Sequence, residues 1–184
     1  MKNIFRITFI SLAFFLSACS IQAPPYQASL DNVQTIKRAK IQQIEVGTIE
    51  SSEDLNSISL RGSTMSSPVD KSYGAYISQA LEDELKLAKL WTPASATIIS
   101  GEILTNDIDV SGFSTGTGEA SAKFIVTRDN TIVFDKVIAA NHQFDSSFLG
   151  SIAIPNGQSN YVNLVQKLIK NLFEDEEFIT VLKK

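Results

Sequence analysis

The segment Asp109 to Ser121, DVSGFSTGTGEAS, spells G-x-S-x-G over Gly112 to Gly116. In that pattern a sharp turn lifts a serine hydroxyl as a nucleophile. Such a serine needs a base, and the base needs a group to orient it. Ser114 is followed in the chain by Asp129 and Asp135 and then by His142, the single histidine. That order matches the triad order of an α/β-hydrolase, so hydrolysis through Ser114 is one chemistry that these residue types allow.

The elements that would have to position the triad argue against it. A nucleophile elbow needs a strand before the serine and a helix after it, so that backbone amides can hold a developing oxyanion. Here Gly116 and Gly118 lead into Glu119 to Thr127, whose strict alternation reads as a strand. The glycines and threonines suit a mobile hairpin tip, and mobility defeats catalytic positioning. If Arg128 pairs with Thr131 across an Asp129-Asn130 turn, His142 falls opposite Thr117 and near the tip. The same register puts Asp135 opposite Phe124 and Asp129 at the far end of the hairpin, so neither acid supports the imidazole. His142 shares its parity with Ile132, Phe134 and Phe144, as a half-buried strand residue does. A metal would need further ligands, and there is no second histidine. The run Glu82-Asp83-Glu84 reads as the solvated face of a helix rather than as paired catalytic carboxylates. No glycine loop of the phosphate-binding kind precedes a helix. The expectation is a chain with no catalytic residue, no metal and no cofactor, with a Ser114 hydrolase as a remote alternative.

The start of the chain carries a clearer message. Lys2 and Arg6 precede an almost wholly apolar run from Ile7 to Leu16, and small residues then lead to Cys19, the only cysteine. This is the layout of a secretory signal peptide, too short for a spanning helix. Leu16-Ser17-Ala18-Cys19 resembles a bacterial lipobox, which implies that Cys19 becomes the lipid-modified first residue of the mature chain. A single cysteine forms no disulfide within the chain and no cysteine-based zinc site. Two or three acyl chains make an effectively permanent anchor, since each buried methylene contributes about 0.8 kcal/mol. The folded part therefore needs no membrane-binding surface of its own. Under the enteric sorting rule, Ser20 after the cysteine implies the outer membrane, with the domain in the periplasm.

Removing residues 1 to 18 takes away Lys2 and Arg6 but no acid, so 16 basic and 20 acidic residues become 14 and 20, a net charge of −6. That balance argues against nucleic acid and against electrostatic docking on anionic lipid. A hydrophobic fraction of 43% over 184 residues is enough for one cored domain.

Residues 19–32, with Pro24-Pro25, read as the lipidated cysteine and an extended tether, and 33–184 as a single domain. Ile44 with Val46, and Ile58 with Leu60, mark two strands. Tyr73, Ile77, Ala80, Leu81, Leu85 and Ala88 line one face of a helix between Asp70 and Trp91, closed by Pro93. Three strands follow as an antiparallel meander, with Leu104, Ile108 and Val110 sharing a face in the first. Tyr161, Leu164, Val165, Leu168, Ile169, Leu172 and Phe173 form the apolar stripe of a second helix, from about Gln158 to Phe173, with Pro155-Asn156-Gly157 leading in. Residues 174–184 fit a short helix or a last strand equally. The order β-β-α-β-β-β-α implies an α+β fold, an antiparallel sheet of about five strands with two helices on one face.

One stretch resists this assignment. FDSSFLGSIAIP, Phe144 to Pro155, places Phe148, Leu149 and Ile152 in a connection. An apolar loop is either a flap over the core or a contact site for a partner. Phe148, four residues after Phe144, is expected to fold back as core, and Leu149 less so. Phe148, Leu149 and Ile152 are the possible partner contacts.

From about Lys40 the chain resembles small Gram-negative envelope lipoproteins of the YajG-like kind. The residues carrying this are SLRGST, YGAYISQALEDELKLAKLW, ISGEI and YVNLVQKLIKNLF, together with the lipobox. The resemblance implies a non-catalytic, lipid-anchored binding or scaffold component whose partner is an envelope protein or a glycan. The alternative, by analogy of fold, is a lipid-handling accessory of an envelope transport complex, which should carry an apolar cavity between sheet and helices.

Overall fold

The computed structural model describes residues 20–183, so Cys19 lies outside the described residues. Strand β1 (Ser20–Gln22) and helix α1 (Leu30–Ala39) come first, followed by β2 (Glu45–Glu50) and a 3-10 turn at Glu53–Asn56. Strands β3 (Ile58–Leu60) and β4 (Ser63–Ser66) lead into helix α2 (Tyr73–Ala88). Three long strands, β5 (Thr97–Asp109), β6 (Thr115–Arg128) and β7 (Thr131–Asp145), precede helices α3 (Gly150–Glu174) and α4 (Glu176–Leu182).

The α+β class and the antiparallel β5-β6-β7 meander are as expected, but the strands divide into two sheets, ordered β2-β5-β6-β7 and β1-β4-β3. β2 runs parallel to β5, and β1 parallel to β4. A parallel pair needs a long crossover. The chain from the 3-10 turn through α2 supplies it for β2 and β5, which removes β3 from the sheet it was expected to join. Within residues 174–184, open between helix and strand, Glu176–Leu182 form α4, after which Lys183 bridges to Ile41.

The expected tether and the start of the domain near Val33 also change. Ser20 to Gln22 pair with Thr64 to Ser66, Ala23 is buried, and Tyr26 meets Tyr76 edge-on at 6.1 Å between ring centroids. The Ser29 side chain then caps α1 by accepting from the Asn32 amide. Only Asn32, Val33 and Ile36 of α1 are buried, while Leu30 is exposed. This stripe is too thin to announce itself as an amphipathic helix.

Bulges reset the register of the long strands. Arg128 pairs with Thr131 as expected, but an irregularity between Val126 and Thr127 shifts the rest, so Asp135 faces Ile125, Lys136 faces Phe124, and His142 faces Gly118. A second irregularity, between Ile103 and Thr105, leaves Leu104 unpaired and exposed instead of on the core face with Ile108 and Val110; Asn106 takes the inward position.

Helices α2 and α3 fill one face of the larger sheet. Tyr73, Tyr76 and Tyr161 pack ring to ring against this core with Leu164, Leu168 and Phe124, all of them buried. The Tyr161 hydroxyl donates to Asn106 Oδ1 (2.9 Å), which gives the bulged strand's inward polar residue a partner. Both edges of this sheet are covered. Ser78 of α2 bonds to the Ile49 amide and the Gly47 carbonyl, and Lys167 and Asn171 of α3 donate to the carbonyls of Asn141 and Ala139. α3 begins eight residues before the expected Gln158. Pro155 lies in its second turn, where it removes the amide that would bond to the Ser151 carbonyl, close to the helix start.

Candidate functional site

Two connections meet at the end of the molecule where β5, β6 and β7 approach α3. In the first, Asp109 Oδ1 accepts from the Ser111 amide (2.7 Å), and the chain doubles back so tightly that a Cβ on Gly112 would lie 2.1 Å from the Thr115 carbonyl oxygen. That turn throws Phe113 outward. In the second, the Ser146 amide donates to the Ser114 carbonyl (2.8 Å) and the Leu149 amide to Ser147 Oγ (3.1 Å). Phe148 then stacks on Phe113, with centroids 5.5 Å apart and planes 9° from parallel. Phe113 is 78% exposed, Phe148 69%, Leu149 56% and Ile152 47%. The expectation that Phe148 folds back as core is overturned. Phe144 fills that core position, and the chain leaves the sheet directly after it, carrying Phe148 to the outside.

One side chain fixes both connections. Arg61 occupies the turn between β3 and β4, where Arg61 (φ 47°) and Gly62 (φ 84°) take the left-handed conformations of a tight hairpin. Its guanidinium donates from Nε to the Val110 carbonyl (2.8 Å) and from Nη1 to the Phe148 carbonyl (2.6 Å), and Nη2 reaches the carbonyls of Ser111 (3.3 Å) and Gly112 (3.2 Å). The planar fork of arginine suits this use as a multi-point clamp. Phe113, Phe148, Leu149 and Ile152 thus form an apolar tip held in place by charge-assisted hydrogen bonds.

The first described residue, Ser20, lies beside the clamp. Ser20 pairs with Thr64, two residues after Gly62, and Cys19 is joined to Ser20 by a peptide bond. At this end the exposed carboxylates of Asp109 and Asp145 close β5 and β7, but the segments beyond them are uncharged. Residues 20–30, 62–69, 110–118 and 146–166 contain no Asp, Glu, Lys, Arg or His, and Arg61 is engaged with carbonyls.

The structure does not bring the candidate triad together. Ser114 sits in a connection between two strands. His142 Nε2 shares a hydrogen bond with Asn160 Oδ1 (2.9 Å), and its Nδ1 is buried without a partner. Asp129 is at the opposite end of the β6–β7 hairpin. Among the described residues no group of three or more His, Cys, Asp and Glu could hold a metal ion, and no helix is long and apolar enough to cross a membrane.

The acidic run on α2 needs a correction. Glu82 pairs with Lys86 at the surface, but Glu84 is buried. Its Oε1 accepts from the Tyr26 hydroxyl, the Ser29 amide (3.1 Å) and Asn32 Nδ2 (3.1 Å), while Oε2 has no partner. Burial raises the Glu84 carboxyl above the usual carboxylate range, against the opposing pull of those donors. Asn32 Nδ2 also donates to the Gln166 carbonyl (2.9 Å). The N-terminal segment is thereby locked to α2 and α3. A solvated face fails as a reading because it ignores α1, which covers Glu84.

Comparison with known proteins gives fold but no family. No family model matches the chain, and no curated protein matches. Among solved structures, the chain is similar to a Xanthomonas campestris protein of family DUF330 at a TM-score of 0.57 and 7% identity, over 84% of this chain and 89% of that one. A Caulobacter crescentus chain provisionally described as a lipoprotein aligns at a TM-score of 0.47 and 13% identity, over 82% and 93%. The likeness to the Xanthomonas protein is one of fold alone.

Proposed function

We propose that the chain is a non-catalytic lipoprotein of the Gram-negative envelope, anchored through acylated Cys19 in the outer membrane and acting as a binding or scaffold component of the YajG-like sort. The observation that carries the reading is the rigid tip. Arg61 holds a stacked pair of aromatic rings outward, immediately beside the residue that follows the lipobox cysteine. Exposed rings in a fixed geometry suit an apolar counterpart. The non-catalytic reading is supported by the strand-to-strand setting of Ser114 and by the engagement of His142 with Asn160. A lipid-handling accessory would use a cavity between sheet and helices, but Tyr73, Tyr76, Tyr161 and Leu164 fill that space. The cleft of about 580 Å³ along β2 and α2 is an open groove with a mixed lining that includes Thr48, Glu50, Asp70 and Gln79.

Cys19→Ser tests the reading. The variant is expected to leave the membrane fraction or to remain unprocessed, because the acyl chains supply the membrane affinity. Unchanged membrane retention with normal cleavage removes the anchor. Labelling of Ser114 by a fluorophosphonate probe, lost on substitution of His142, would restore the hydrolase.

A further inference from the structure

We infer that the apolar tip rests in the surface of the bilayer that anchors Cys19, so that this domain is held on the membrane in one orientation. The inference depends on the lipid-anchored reading above and adds a second point of membrane contact to it.

Three observations converge. The first is where the chain outside the described residues ends. Neighbouring Cα atoms are about 3.8 Å apart, so Cys19 lies one such step from Ser20, which is built into β1 beside Thr64. No long linker separates lipid from fold, and the domain end that carries Ser20 is brought to the bilayer. The second is that the tip occupies this same end. The turn before β4 carries Arg61, whose guanidinium holds the carbonyls of Phe148 and Gly112. α3 also runs away from the tip, and Gln158, farther along it, donates to the Gln22 carbonyl at the other end of β1. The third is composition. Phe113, Phe148, Leu149 and Ile152 project among serines, glycines and threonines, with no charged side chain in residues 110–118 or 146–166. Apolar side chains of an interfacial element enter roughly 5–10 Å into the headgroup and acyl boundary, a zone that penalises charge. The one cation here, Arg61, is exposed, but its guanidinium is engaged with the carbonyls of Val110, Ser111, Gly112 and Phe148, and the exposed Asp109 and Asp145 stand behind the rings, at the ends of β5 and β7. Contact of this kind needs no anionic lipid, in keeping with the acidic balance of the chain. The acyl chains provide affinity, and the tip sets orientation.

The test uses the acylated protein in vesicles of phosphatidylethanolamine with a minority of phosphatidylglycerol, some containing lipids brominated near the top of the acyl chains. Trp91 is the only native tryptophan and lies at the far end, bridged to Ile44. Phe113→Trp places a reporter on the tip without touching the core. Ile132→Trp, at an exposed position in the far hairpin, is the matching control. The expected result is a blue shift and loss of emission for Phe113→Trp in brominated vesicles, with the parent and Ile132→Trp unchanged. Tip emission that is neither shifted nor quenched overturns the inference. So does a tip that stays in water on vesicles but becomes shielded in membranes isolated from the producing cells, which assigns it to a protein partner. Mass spectrometry of the same preparation separates the two readings. An unmodified Cys19 removes the anchor and this inference together, whereas acylated Cys19 with a water-exposed tip removes only this inference.

Discussion

Both ends of the molecule carry stacked phenylalanines, and the fold treats the two pairs in opposite ways. At the far end Phe173 and Phe178 stack at 6.3 Å, Phe134 meets Phe178 edge-on at 5.5 Å, and all three are buried. Charge surrounds them. Lys136 pairs with Asp175 (2.6 Å) and Glu177 (3.7 Å), and Arg128 donates to the Val181 carbonyl. At the tip, Phe113 and Phe148 stack at 5.5 Å but stand in the open, on connections that carry no charge between Asp109 and Glu119 or between Asp145 and Lys167. The far end shields its aromatics and displays its charges. The tip does the reverse, which is the arrangement suited to a surface that is not water.

The largest effect should come from the far end. Phe178→Ala deletes a fully buried ring and is expected to cost about 3–5 kcal/mol in urea denaturation. A loss below ~1 kcal/mol would mean that this cluster is not core and the contrast is void. Arg61→Ala comes next, at roughly 1.5–3 kcal/mol for charge-assisted hydrogen bonds. Its loss of amide protection should be concentrated in residues 110–116 and 146–149. A uniform loss would show that Arg61 supports the whole fold rather than the tip.

Glu84 sharpens the comparison by testing whether the N-terminal segment moves with the domain. Its folded-state acidity is weakened by burial, so the folded chain binds this proton more tightly than the unfolded chain does. Its contribution to stability is therefore greatest below the unfolded value near 4.3 and declines as pH rises from there through the raised folded value. Glu84→Gln should flatten that part of the stability profile, measured as denaturation midpoints across a pH series. A profile identical to the parent's would mean that Glu84 is not enclosed by Tyr26, Ser29 and Asn32. The smallest effect is predicted for Phe148→Ala, within about 0.5 kcal/mol of the parent, as for surface positions. Loss of several kcal/mol would return Phe148 to the core.

Elements with a full apolar stripe could be read in advance. α2 shows it from Tyr73 to Ala88 and α3 from Tyr161 to Phe173, and β6 alternates cleanly through Phe124 and Val126. Where burial is partial or register is irregular, the pattern misleads. α1 buries only three residues, β2 joins its sheet through a crossover with no local signature, and the bulges at Leu104 and Val133 flip the faces of their strands. Glu84 looked solvated because what covers it comes from a segment taken for a tether. At the tip, Phe148, Leu149 and Ile152 were visible as an apolar connection. Phe113 was hidden inside a pattern that resembles a nucleophile turn, and Arg61 gave no sign of its reach across the fold. The missed signal was the absence of charge from several separate segments that the fold gathers at one end.

Hydrogen exchange of the acylated protein on vesicles, compared with the Cys19→Ser form in solution, addresses the contrast between the two ends most directly. The account predicts slowed exchange in residues 111–115 and 146–152, with residues 129–137 and 174–183 unchanged. Equal exchange at the tip, or slowing confined to the far end, would contradict it.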